Sequence, residues 1–272
     1  MKHTLVAAVF LLALFLVPVQ VNAAGAAAMI FRWAPVIYQQ DNGRDPMARE
    51  NTCTTVNYDR DWRANNNWEN LPYYPPEPAV YYSLVESDTH YFIGYYLYYP
   101  RHAGGSKHEH DMAGVMAVVQ KGGDQYGQME MLLVYSNNDW LKLNGSHVRC
   151  ENGRPILVVS AGTHDIANER PPGPGGAYPL PLTGGQGSAA AHGGYRLADL
   201  QELWQHRNDI GQNRTFNSWG YFDSDSYRNA AAPWVWKYHK TNWLDQPAEM
   251  LQRIHGQASL PVKYLINPYA GI

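Results

Sequence analysis

The sequence predicts a mostly β fold, a single-domain β-sandwich with long loops and one or two short helices. Three observations carry that reading. Apolar and aromatic runs of strand length recur along the chain, helical periodicity is scarce, and glycine- and proline-rich stretches separate the runs.

The elements follow in order. Lys2 and His3 precede an almost purely apolar run from Leu5 to Val17, broken by Pro18 and followed by Val21-Asn22-Ala23. This is the layout of a cleavable signal peptide over residues 1–23. The run is shorter than the ~20 residues a membrane helix needs, so an uncleaved anchor is the weaker alternative. The expected product is a secreted, extracellular chain of residues 24–272 forming one domain, with no transmembrane segment after signal cleavage. Strands are expected at Ile30 to Tyr38, Ala79 to Val85, Thr89 to Tyr99, Val115 to Val119, Met129 to Tyr135 and Ile156 to Ser160. Asn152-Gly153 signals a tight hairpin before the last of these, and Gly122-Gly123 a turn between two others. Helices are expected at Pro247 to Ile254 and across Leu197 to Trp204. Asn51 to Pro78 reads as loop, and residues 161–195 as a long Gly/Pro-rich loop.

Charge and cysteines narrow the function classes. A formal net charge of −3 carries no footprint for nucleic acid. The two cysteines, Cys53 and Cys150, are expected to pair as a disulfide in an oxidising compartment, with two free buried thiols as the alternative. Closing that loop would stabilise the fold by roughly 4 to 5 kcal/mol. Neither lies in a C-x-x-C pattern, which removes redox catalysis and zinc ribbons. Asn144-Gly145-Ser146 and Asn213-Arg214-Thr215 are glycosylation sequons.

One cluster carries chemistry. His108-Glu109-His110-Asp111 places four ionisable groups in a row at a strand mouth. An extended backbone sends His108 and His110 to one side and Glu109 and Asp111 to the other; a loop lets His108, His110 and Asp111 converge. A second set, Gly162-Thr163-His164-Asp165, ends the strand Ile156 to Ser160, where loops place functional groups. If the two strands are neighbours, His164 faces the first cluster. Imidazoles with carboxylates suit a divalent metal ion of unassigned identity, or acid–base work on a bound water. Solvated loop residues are the bland alternative. His108, Glu109, His110, Asp111, His164 and Asp165 are thus the candidate ligand-binding residues.

These segments resemble a known family. Phe92-Ile93-Gly94-Tyr95-Tyr96-Leu97-Tyr98-Tyr99-Pro100, followed by His108-Glu109-His110-Asp111-Met112-Ala113-Gly114-Val115, is similar to the core of the NPP1-like necrosis-inducing proteins, with their G-H-R-H-D-W-E heptapeptide. Gly153 to Val159 with Gly162-Thr163-His164 resembles that family's second block, and Trp33-Ala34-Pro35-Val36-Ile37-Tyr38 resembles the related Vps62-type proteins. The likeness covers residues 31–38 and 88–165. It implies an extracellular β-sandwich with a divalent-metal site that binds glycolipid head groups. Carried over by position, it implies His108, His110, Asp111 and His164 as metal ligands. Met112-Ala113 stand where the heptapeptide has Trp-Glu, which removes one carboxylate ligand, and Glu109 replaces an arginine.

The leading expectation is therefore a secreted, metal-dependent binder of a glycan or glycolipid head group. The rivals are a metal-assisted hydrolase of an ester or glycan and a plain structural surface protein; whether the chain is an enzyme stays open. No G-x-S-x-G, H-E-x-x-H or P-loop pattern supports the hydrolase. The C-terminal aromatics Trp204, Trp219, Trp234, Trp236 and Trp243 either line a glycan cleft or cover a core.

Overall fold

The computed structural model describes residues 23–40, 49–105, 107–136, 139–171, 177–180, 194–206, 209–210 and 262–266. The expected signal peptide, the helix at Pro247 to Ile254 and the aromatics beyond Trp204 lie outside these residues.

The larger sheet is built on long antiparallel hairpins. β2 (Ala79–Ser87), β3 (His90–His102), β4 (His108–Gly122), β5 (Asp124–Ser136) and β6 (Asp139–Asn144) follow in order. β11 (Arg196–Asp199) adds to β2 in parallel, and β12 (Val262–Ile266) adds to it antiparallel. The smaller sheet has the order β10 (Ala177–Leu180), β1 (Val36–Gln40), β8 (Arg154–Val159) and β7 (Cys150–Glu151), with β9 (Ile166–Ala167) folded back on β8. Among the described residues the α-helices are short: α1 (Ala23–Trp33), α2 (Asn67–Asn70) and α3 (Gln201–Gln205). None is long and apolar enough to cross a membrane.

The core has two storeys. Between the sheets, Ile37, Leu157 and Val159 of the small sheet meet Ile93, Tyr95, Leu97, Val115, Ala117 and Leu132 of the large one. On the outer face of the large sheet, Tyr96, Tyr98, Met116 and Leu133 are covered by Val56 and Ala64 of the loop before β2, and by Leu200 and Leu203 around α3. β3 is therefore buried on both faces, which explains an aromatic run without polar alternation. The hydroxyls of its fully buried tyrosines are engaged. Tyr95 donates to the Ile30 carbonyl at 2.6 Å, Tyr96 pairs with Ser83 at 2.9 Å and Tyr99 donates to Gln39 at 3.3 Å.

Several expectations change. Ile30 to Trp33 is helical rather than extended, because the alanine-rich stretch before it favours helix and Pro35 ends it. Met29, Ile30 and Trp33 pack into the inter-sheet core, and the Trp33 indole N–H donates to the Tyr126 carbonyl at 3.0 Å. The stretch 161–195 supplies two short strands, β9 and β10, so part of it is sheet. The segment from Leu197 splits into the end of β11 and α3. The expected disulfide is absent: both thiols are free, Cys53 buried in the core and Cys150 exposed on the β7–β8 hairpin. Apolar burial pushes the Cys53 thiol up to about 12, so it behaves as a small core hydrophobe. The hairpin itself is as expected, with Asn152 at φ 50° and Gly153 at φ 72°.

Candidate functional site

The site is placed by the β3–β4 hairpin and the turn after β8. Register pairs Tyr99 with Asp111, Arg101 with Glu109 and His102 with His108. The tetrad is thus the first part of β4, not a loop ahead of it. The hairpin tip lies against the β8–β9 turn: the Ala103 N–H donates to the Gly162 carbonyl at 2.8 Å. Gly104 is required there, because a Cβ would come within 2.6 Å of the His102 ring and 2.8 Å of Thr163. The turn closes on itself, the Ser160 N–H donating to the Asp165 carbonyl at 2.9 Å and the His164 N–H to the Ser160 carbonyl at 3.1 Å. The Gly162 N–H reaches the buried Asn51 side chain at 2.9 Å.

This arrangement brings Asp111 and His164 into contact. His164 Nδ1 lies 2.7 Å from Asp111 Oδ2, and its Nε2 lies 3.1 Å from the Glu50 carbonyl oxygen. Both partners are acceptors, so a doubly protonated ring satisfies both bonds. The Tyr99 ring stacks on it at 3.7 Å with 2° between planes. His102 meets His164 edge-on at 6.3 Å and stacks on His108 at 4.5 Å. His108 Nδ1–H donates to the His110 carbonyl at 3.0 Å. Burial pushes the Asp111 carboxyl up, but the His164 hydrogen bond and the neighbouring His164, His102 and His108 charges outweigh it. The net effect holds the group below the ordinary carboxylate value. The Asp111 side chain keeps 18% of its surface exposed, so an ionised carboxylate reaches solvent in a ring of imidazoles.

His110 belongs to a different network. It is fully buried on the outer face of the sheet. Asn67 donates to the Val56 carbonyl and to the Tyr98 hydroxyl oxygen, both at 2.7 Å. Tyr98 must then give its proton to His110 Nδ1, 2.7 Å away, which makes His110 a neutral ring protonated on Nε2. Desolvation agrees: it pushes the ring down to about 3, and a hydrogen bond to the Ala64 backbone opposes this without offsetting it. Glu109 is also fully buried, and its Oε1 accepts the Trp68 N–H at 3.1 Å at the start of α2. Asp165 contributes its backbone carbonyl to the turn.

The expected metal donors therefore do not share a centre. Asp111 and His164 are bonded to each other, His108 lies beside them, and His110 is turned to the opposite face with Nδ1 engaged. Among the described residues, no three His, Cys, Asp or Glu side chains are grouped to hold an ion. Two buried histidines of the site, His110 at φ 60° and His164 at φ 56°, occupy left-handed backbone, which is uncommon for non-glycine residues. The sequence reading missed His102, Tyr99 and Glu50. His102 was within reach: it mirrors His108 across the Gly104-Gly105 turn.

No protein-family profile matches the chain, and no curated protein does. Among solved structures, the chain is similar to NLPPya in complex with glucosamine, at 13% identity and a TM-score of 0.41, over 71% of this chain and 82% of that one. It is similar to the Necrosis and Ethylene inducing Protein 2 from the causal agent of cocoa's Witches Broom disease, at 14% identity and a TM-score of 0.32, over 52% and 67%. A third, the non-toxic HaNLP3 protein, is at 13% identity and a TM-score of 0.34, over 64% and 74%. These are distant likenesses.

Proposed function

We propose that the chain is a secreted binding protein that grips a hydroxyl-rich head group, a glycan or glycolipid, at the mouth formed by Asp111, His108, His102 and His164. The observation that carries this reading is the ionised, partly exposed Asp111 carboxylate, held by a buried histidine in left-handed backbone. A carboxylate accepts hydrogen bonds from hydroxyls, the His108 and His102 rings flank it, and His164 fixes the carboxylate's direction. The likeness of the surrounding segments to the necrosis-inducing proteins supports a polar head group as the ligand class. The donor set does not fit a bound metal, so recognition is assigned to the side chains themselves. The same geometry removes two of the candidate histidines as general bases for the hydrolase reading. The nitrogens of His164 face acceptors, and His110 Nδ1 accepts from Tyr98, so neither offers a lone pair to activate water.

The test is co-sedimentation of the mature protein with vesicles of phosphatidylcholine, with or without a glycosylated sphingolipid. Binding is expected only with the glycolipid, undiminished by EDTA, and at least tenfold weaker in Asp111→Asn, at a temperature where circular dichroism shows that variant folded. Equal binding to both vesicles, or full binding by Asp111→Asn, would overturn the assignment. Loss of binding in EDTA would return the site to a metal.

A further inference from the structure

We propose that a groove beside the loop before β2 is a second ligand site, and that it takes a saccharide carrying a carboxylate. The groove encloses about 510 Å³, within the range of small-molecule sites. Its lining combines Tyr73 and Tyr74 with Tyr58, Arg60, Glu77 and Arg196, and it shares no residue with the Asp111–His164 mouth.

Three features argue for this occupant. First, Tyr73 and Tyr74 are 77% and 43% exposed, whereas the other large aromatics among the described residues are mostly covered. Adjacent exposed rings supply flat apolar faces with polar edges, which suits the C–H face of a sugar ring. Their backbone is held in place. Their N–H groups donate to the Asn70 carbonyl at 2.9 Å, and Arg49 binds the Leu71 and Pro72 carbonyls at 2.7 and 2.5 Å. A platform fixed before binding loses little entropy on binding.

Second, among the described residues the polar lining has two guanidinium groups against one carboxylate. Guanidinium recognises a planar carboxylate by paired hydrogen bonds, and Glu77 accepts from hydroxyls.

Third, Arg60 sits at φ 69°, a conformation that favours glycine. The turn that imposes it is built with care: Arg60 N–H donates to the Asn57 carbonyl at 2.8 Å, Asp61 N–H to Asp59 at 3.0 Å, and Asn70 clamps Asp59 at 2.6 Å. A long cation in strained backbone on a groove wall is a position where glycine would cost less, so the arginine side chain is the feature to test.

Isothermal titration of the mature protein with tetragalacturonate, and with cellotetraose as the neutral probe, tests the assignment. Saturable binding of the uronate is expected, at least tenfold tighter than the neutral tetramer. Arg60→Gly and Tyr73→Ala should each weaken it at least tenfold. The thermal midpoint of Arg60→Gly should hold or rise, since glycine adopts that backbone without strain. No saturable binding of either probe, or unchanged affinity in both variants, would overturn the site. Equal affinity for the neutral tetramer would overturn the carboxylate. A lowered midpoint in Arg60→Gly would make that arginine a folding residue and overturn its role.

Discussion

His110 and Asp111 are neighbours in β4 whose side chains leave the strand on opposite faces, and their protonation diverges with them. Burial keeps His110 neutral, its ring pushed from 6.5 down to about 3. In the unfolded chain the same ring takes up a proton near 6.5. Below that pH the unfolded state binds more protons than the fold, so stability falls as pH drops from 6.5 toward 3. The loss from this residue is about 3 kcal/mol by about pH 4. Asp111 acts in the same direction at lower pH. Its folded value is depressed, so its contribution is present above the ordinary carboxylate range and is lost as pH falls through the folded value. In His110→Gln the side-chain amide oxygen can accept the Tyr98 proton, and the fall in urea midpoint between pH 6.5 and 4 should flatten. An unaltered slope would mean that the ring is charged in the fold. The candidate residues were legible by type and position, but not by orientation. Whether His110 joins Asp111 depends on the β3–β4 register and on Asn67, which the start of α2 brings from far along the chain.

At the level of the strand, β3 shows how burial on two faces shapes a sequence. Its aromatic content made it recognisable, yet its end was misjudged, because Pro100 reads as a stop. Here the strand runs on to His102, with Arg101 and His102 paired to Glu109 and His108. Gly94 has a separate cause. A Cβ there would meet the Tyr96 hydroxyl and come within 2.7 Å of Ser83 Oγ. Gly94→Ala should destabilise by about 1 to 3 kcal/mol, read as a lower denaturant midpoint at unchanged slope. Adding Tyr96→Phe should recover part of the loss by removing the clashing oxygen. No recovery would place the strain at Ser83 Oγ and the Tyr96 ring carbon, each 2.7 Å from the added Cβ.

Over the whole molecule, stability comes from the two-storey core rather than from a covalent staple. Cys53 is buried among Leu84, Ile93 and Leu157 in the same core cluster, while Cys150 sits on an exposed hairpin. A reductant such as dithiothreitol should therefore leave the thermal midpoint unchanged, and free-thiol titration in denaturant should find two thiols. A drop of the 4 to 5 kcal/mol that closing this loop would supply would instead reveal a bridge. An even cysteine count constrains pairing only through compartment, and compartment says nothing about whether two Cβ atoms can meet.

Composition alone determined the mostly β class, the hairpin at Asn152-Gly153 and the two segments from which the site is built, because turn chemistry and aromatic strand runs are local signals. The tertiary structure decided which side chains share a face, that α1 caps the inter-sheet core, and that His164 reaches Asp111 across 53 positions of chain. Those outcomes rest on strand register and on the packing of β8 beside β1, which are set by contacts between residues far apart in sequence and leave no mark in any local window.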